Sequence, residues 1–230
     1  MQLTVRDAAN ILSVSEKTIY RWIDSKGLPV YKVDGQHRFS KSELLEWATA
    51  NRIKISVDFF AEPDENGKPL PPLSKALEVG GVFHGVKGGD KISVLKSMVE
   101  KLHLPPEIDR EFLLQVLLAR ETMGSTGIGD GIAIPHVRNP VVLHVADPAI
   151  TLCFLEQPID FGAVDHKPVH TLFSLISPTI KVHLHLLSRL STALHDPGFK
   201  GSVLKQASKE DILKEVKRVE AANAAPPGAR

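Results

Sequence analysis

Apolar positions over the first fifty residues follow a helical spacing, switch to alternation, and return to helical spacing. Val5, Ala8, Ala9 and Leu12 recur at helical intervals behind Thr4 and Asp7, which frame a capping-box start. A tight turn at Ser13-Val14 leads to Ser15, which caps a second predicted helix through Lys26. That helix gathers Ile19 and Ile23 on one face and turns Lys17, Thr18 and Arg21 elsewhere. LPVYKVDGQHRF then alternates around Asp34-Gly35, a dipeptide that tolerates the positive φ angles of a two-residue hairpin, so a short β wing is expected. Ser40 and Glu43 predict a capping box for a third helix carrying Leu44, Leu45 and Trp47.

The pattern breaks in KISVDFFAEPDENGKPLPP, residues 54–72, whose four prolines and acidic turn cluster support neither period. A linker is expected over 54–71, with Val57, Phe59 and Phe60 as a patch able to dock. Helical spacing resumes through Ile92, Leu95, Met98, Val99 and Leu102, and again through Phe112, Leu113, Val116 and Leu117, with Pro105-Pro106 between. In RETMGSTGIGDGIAIPH, Gly124, Gly127, Gly129 and Gly131 leave the backbone free to bend around a ligand. The loop feeds an apolar strand, Ile132-Ala133-Ile134, and Pro135 stops regular pairing so that His136 emerges at its end. Farther on, residues 183, 186, 187, 190 and 194 share a helical face on which four are leucine. This places His183 inward near a helix N-terminus and His185, about 200° round from its neighbour's face, in solvent. The last ten residues, AANAAPPGAR, lack large apolar groups and read as a disordered tail over 221–230.

At 230 residues, 43% apolar and 24% charged, the chain has material for two globular domains. The formal charge of +1 hides a mild asymmetry: residues 1–54 hold nine Lys/Arg against six Asp/Glu, leaving 19 against 21 elsewhere. Cys153, the single cysteine, lies in an apolar run, which excludes an internal disulfide and a four-cysteine zinc site. His183 and His185 are spaced wrongly for one helical metal site, and neither a metal nor a cofactor is expected. No apolar stretch approaches the roughly 20 residues that span a bilayer, and a cytoplasmic location is expected.

Two chemistries suggest themselves. A short helix pair with a wing suits DNA, because the second helix fits a major groove while cations on both elements meet phosphates. The candidates are Lys17, Thr18, Tyr20, Arg21, Lys32, Gln36, His37 and Arg38. A phosphoryl carrier needs a nucleophile that is neutral near pH 7 yet leaves readily, and an imidazole such as His136 meets both needs. Arg120 and, secondarily, Arg138 supply a guanidinium for the phosphoryl oxygens. Ser125 and Thr126 offer hydroxyls to the phosphate or the ring, with Gly127 and Gly129 shaping the loop.

The string LTVRDAANILSVSEKTIYRWIDSKGLPVYKVDGQHRFSKSELLEW resembles the winged helix-turn-helix of the MerR and excisionase group. RETMGSTGIGDGIAIPHVR, with LEQPIDFGAVDHKPVHTLFSLISP and KVHLHLLSRLS, resembles type-2 IIA domains of the bacterial phosphoenolpyruvate-dependent phosphotransferase system (PTS). The likeness covers most of 72–220 and lies nearest the fructose/mannitol branch, particularly its nitrogen-regulatory members. It implies a two-domain chain: a winged helix-turn-helix over 1–53, mostly α with a β hairpin, and over 72–220 an α/β domain with a mixed central sheet flanked by helices. It also implies that His136 is phosphorylated at Nε2, with His183 beside it and Arg120 binding the phosphoryl group. The donor would be the phosphocarrier HPr or its nitrogen-branch counterpart, and the chain a phosphotransferase in the carrier sense. DNA and regulatory proteins are the expected targets. The alternatives are a transcription factor with a non-catalytic IIA-like sensor, and a IIA component of sugar uptake working with separate subunits.

Overall fold

The computed structural model describes residues 2–51, 53–56, 69–137 and 145–224. Val57, Phe59, Phe60 and Arg138 lie outside them.

In the N-terminal unit the local signals do what their chemistry suggests. Helix α1 (Val5–Ile11) opens on a reciprocal capping box between Thr4 and Asp7. Helix α2 (Glu16–Lys26) is capped by the Ser15 hydroxyl and closed by Gly27 in the left-handed region. Ser13, at φ 51°, makes the turn between them. Strands β2 (Tyr31–Val33) and β3 (Gln36–Ser40) form the wing around Asp34 and Gly35, whose φ angles of 49° and 74° suit a two-residue hairpin. A short β1 (Gln2–Leu3) pairs with the other edge of β3, making a three-stranded sheet that the alternation did not announce.

Helix α3 (Lys41–Ala50) starts where expected, but Ser40 makes no side-chain cap. Its hydroxyl pairs with Ser42, while Glu43 accepts from the Tyr31 hydroxyl at 2.6 Å. The third helix is therefore stapled to the wing rather than boxed at its own end. Trp47 packs on Trp22 with ring centroids 5.4 Å apart, and its Nε1 donates to the Lys26 carbonyl.

Among the described residues the larger unit is built on five strands: β4 (Val82–Val86), β5 (Gly127–Gly129), β6 (Ile132–Ala133), β7 (Ala149–Ile159) and β8 (Val169–Ile176). Their order is β4-β7-β8-β6-β5, with β4 parallel to β7, β6 parallel to β8, and antiparallel pairs β7/β8 and β5/β6. Among the described residues six helices accompany the sheet: α4 (Leu73–Gly80), α5 (Lys91–Lys101), α6 (Arg110–Thr122), α7 (Ile180–His195), α8 (Pro197–Leu204) and α9 (Lys209–Ala224). Gly80 ends α4 so close to the sheet that a Cβ there would sit 2.2 Å from the Ile150 carbonyl oxygen, so only glycine permits that approach.

Two helical phases differ from the pattern. Ile92 and Phe112 face outward, and α6 buries Leu113, Leu114 and Leu117 instead, a rotation of about one position. His185 is buried, not solvated: α7 is covered by α3, α4 and α8 as well as by the sheet, and the His185 Nε2 lies 3.2 Å from the Pro71 carbonyl. Helix α9 runs through Ala224, four residues into the segment assigned to a tail, because AANA is rich in the best helix former.

The two units share one continuous apolar cluster. Leu44, Leu45 and Ala48 on one side and Leu186, Leu187 and Leu190 on the other belong to it, and α3 lies against α7 and β5.

Candidate functional site

The chain reaches the site along β6. After Ala133 the pairing with β8 lapses at Ile134-Pro135, where Ile134 donates to the Thr126 carbonyl and the proline lacks an N–H, and resumes for one residue as His136 bridges Leu175 of β8. The ring is anchored by its own strand end, with Nδ1 2.6 Å from the Ile134 carbonyl oxygen. A carbonyl can only accept, so Nδ1 carries the hydrogen and a neutral ring presents its lone pair at Nε2. Among the described residues that Nε2 is buried and makes no hydrogen bond.

His183, in the first turns of α7, stacks at 5.2 Å between centroids from His136, with the rings inclined at 40°. Its Nδ1 is likewise buried without a hydrogen-bond partner among the described residues. Burial, joined by the charge of His136 and partly offset by Glu46, pushes His183 down to about 3. The unfolded chain takes that proton near 6.5, so it binds more protons than the folded chain between the two values. Stability is therefore full above about pH 6.5 and declines as the pH falls toward 3. Urea unfolding midpoints between pH 6.5 and 4.5 are expected to fall on acidification, and less steeply in His183→Gln. Equal slopes would show that His183 is not held neutral.

Arg120, in the last turn of α6, donates from Nη1 to the Gly124 carbonyl at 2.8 Å. Its Nη2 donates at 2.6 Å to Oε2 of Glu46, which comes from α3 of the N-terminal unit. The other oxygen of Glu46 lies 3.5 Å from His136 Nε2. One carboxylate thus spans the guanidinium and the reactive edge of the ring. Burial alone would raise the Glu46 carboxyl, but the contact of His136 and its charge when the ring is protonated, with the Arg120 guanidinium, outweigh it and hold Glu46 down to about 2. Its ion pair with Arg120 therefore contributes fully above the ordinary 4.5 and is lost as pH falls toward 2.

The glycine-rich segment is less open than its composition suggests. Gly127 and Gly129 lie in β5, paired with β6, rather than in a free loop. The Thr126 N–H and hydroxyl both donate to the buried Glu121 carboxylate, which also holds Lys91 at 3.2 Å. The Ser125 hydroxyl donates to the Phe161 carbonyl and accepts from the Gly127 N–H. Both residues line the same small cavity as His136, Arg120 and Glu46, yet their donors are committed to shaping the hairpin. The ring is oriented by the Ile134 carbonyl, not by these hydroxyls.

His136, expected to emerge at the end of its strand, is only 3% exposed. The cover comes from Glu46, Thr49 and Ala50 of α3, and the cavity left beneath them holds about 30 Å³. A cleft of about 310 Å³, lined by Glu43, Trp47, Met123 and Gly124 among others, leads to the outer side of Arg120 and Glu46. Reasoning from the sequence missed Glu46. The available signal was LLEWATA, in which Leu44, Leu45, Trp47, Ala48 and Thr49 are all buried. A helix buried on more than one face needs a second surface to cover it.

Elsewhere in the N-terminal unit, Lys17, Tyr20, Arg21, Lys32 and Gln36 are exposed, while Thr18, His37 and Arg38 are half-buried. Tyr20 and His37 bring α2 and the wing together at 5.6 Å between rings. Arg38 donates to the Gln36 side chain at 2.6 Å, and the Thr18 hydroxyl lies 3.0 Å from that of Ser15. No helix among the described residues is long and apolar enough to cross a membrane.

A mixed sheet under helices, with two stacked histidines and an arginine meeting at the end of a short parallel strand, defines a phosphotransferase-type IIA domain joined to a helix-turn-helix. Residues 75–219 match the family described as phosphoenolpyruvate-dependent sugar phosphotransferase system, EIIA 2, and the chain belongs to that family. Residues 3–52 match a helix-turn-helix domain. A nitrogen regulatory protein of Pseudomonas aeruginosa is 37% identical over 125 residues, covering 53% of this chain and 79% of the relative. Its counterpart in Escherichia coli is 42% identical over 100 residues, 42% of this chain and 57% of the relative. The crystal structure of nitrogen regulatory protein IIA-Ntr from Neisseria meningitidis superposes with a TM-score of 0.54 at 25% identity, over 63% of this chain and 98% of that one.

Proposed function

We propose that this chain is a regulatory phosphohistidine carrier, in which His136 takes a phosphoryl group from HPr or a nitrogen-branch counterpart and the helix-turn-helix unit binds DNA. The domains divide as 1–53 and 72–220, joined through 54–71, with the first unit of MerR/excisionase type. The observation that carries the reading is the orientation of His136: Nδ1–H is held by Ile134, leaving Nε2 as nucleophile toward the side where Arg120 lies. In the transfer, the Nε2 lone pair attacks the donor's phosphorus and a new N–P bond forms. The donor's N–P bond breaks, its imidazole regains the electron pair, and nothing is oxidised. Arg120 then meets the charge spread over the phosphoryl oxygens, while the neutral His183 ring packs against His136 without adding positive charge.

The experiment is incubation of the full chain with phosphoenolpyruvate, enzyme I and HPr or its counterpart. Acid-labile, alkali-stable phosphate on the peptide holding His136 is expected. The burial of His136 favours a second reading, in which the IIA-like domain only holds the helix-turn-helix unit and never takes phosphate. Absence of label with every donor would select it.

For DNA, the exposed Lys17, Arg21 and Lys32 with Arg38 amount to about four phosphate contacts. Counterion release then gives a slope of about −3.6 in log K against log salt, or roughly 10²-fold weaker binding from 50 to 200 mM. Electrophoretic shift titrations are expected to show this, and Arg21→Ala should flatten the slope by about one unit. Salt-independent binding would remove the DNA assignment.

A further inference from the structure

The cover over His136 belongs to the other domain, and it is chemically specific. Glu46 sets one carboxylate oxygen on Arg120 at 2.6 Å and the other 3.5 Å from His136 Nε2, the two groups a phosphoryl group on this ring would have to engage. The surrounding cavity, about 30 Å³, has room for roughly one water molecule and not for a phosphorus atom with three oxygens. A donor histidine cannot come within bonding distance of a ring that is 3% exposed unless α3 moves. Helix α3 is tied to its own unit by the Trp47–Trp22 contact and the Lys26 carbonyl, so lifting Glu46 lifts the helix-turn-helix unit with it.

We propose that Glu46 occupies the phosphoryl site of the unphosphorylated chain in place of the phosphoryl group, so that seating of the helix-turn-helix unit on the IIA face and phosphorylation of His136 exclude one another. This rests on the reading of His136 as the acceptor. With α3 seated, the carboxylate satisfies Arg120 and covers Nε2. With the donor's N–P bond broken and a new one formed to Nε2, a group of roughly −2 charge takes Arg120, and Glu46 is left against a like charge with no cation to hold it. The IIA face thus has two competing anionic occupants, one supplied by the chain itself and one by the carrier. The signal passes between the domains as a loss of contact rather than as a change of shape within either one.

The test uses the full chain labelled with a fluorophore pair at Ser25→Cys and Lys214→Cys, both exposed positions, the native Cys153 being buried. Adding phosphoenolpyruvate, enzyme I and HPr is expected to lower energy transfer between the units in the wild type and to leave it unchanged in His136→Ala. Unphosphorylated Glu46→Ala should already show the low value and accept phosphate roughly tenfold faster or more, because the competent state no longer has to be selected from a minor population. Glu46→Gln, which keeps the shape, guards against misfolding of the alanine variant and should fall between. A wild type labelled on His136 with unchanged energy transfer, and a Glu46→Ala rate equal to wild type, would overturn the competition and leave the carrier reading intact. Failure of both wild type and Glu46→Ala to take label would overturn the carrier reading and this inference with it.

Discussion

The His136→Ala chain is expected to accept no acid-labile phosphate above background from any donor that labels the wild type. The nucleophilic atom of the ring is set by a fixed partner on its far side, the Ile134 carbonyl at 2.6 Å. His183 is 5.2 Å away but is not expected to substitute, because Glu46 bridges Arg120 to His136 and not to it. His183→Ala should accordingly keep its label and lose only rate. The His136→Ala chain keeps the Glu46–Arg120 pair, so its circular dichroism spectrum is expected to match the wild type. Full labelling of the variant would move the acceptor to another residue.

Arg120→Ala is expected to slow phosphoryl transfer by about 10² to 10³, the loss typical of removing one preorganised donor from developing negative charge, about 2.7–4 kcal/mol. Two effects oppose each other in this variant. Removing the guanidinium takes away the group that meets the phosphoryl oxygens, which slows transfer. It also removes the shorter of the two contacts holding Glu46 over the ring, which uncovers Nε2 and speeds access. The first effect is isolated by making the substitution in a Glu46→Ala background, where the cover is already gone. Single-turnover rates from phosphorylated HPr should there show the full loss, larger than in the single variant. A double variant as fast as Glu46→Ala alone would mean that Arg120 serves only as an anchor for α3.

The sequence made the N-terminal unit readable because its decisions are local. Thr4 and Asp7, Ser15, and Asp34-Gly35 each act within three or four residues, and each is found where the pattern put it. Ser40 failed as a cap because Ser42 and Tyr31 offered partners that spacing alone does not reveal. In the larger unit, the strand leading to His136 and the inward turn of His183 were legible from Pro135 and from the leucine spacing. The phases of α5 and α6 were not, since the apolar Ile92 and Phe112 sit on the rim of their helices and tertiary packing chose the neighbouring face. His185 and Glu46 share one reason for being misread or missed. Both are polar residues whose partners lie about 70 or more positions away: packing of the segment before α4 on α7 brings Pro71 to His185, and docking of the two units brings Arg120 and His136 to Glu46.

The proposal that organises all of this is that His136 takes phosphate on the nitrogen facing Arg120. Nitrogen-15 and phosphorus-31 NMR of the full chain, labelled in its histidine rings and phosphorylated through HPr, reads that atom directly. One phosphate per chain, bonded to Nε2 of His136 with Nδ1 still protonated against Ile134, is the expected spectrum. Phosphate on Nδ1 of His136, or on any other ring, would contradict the account.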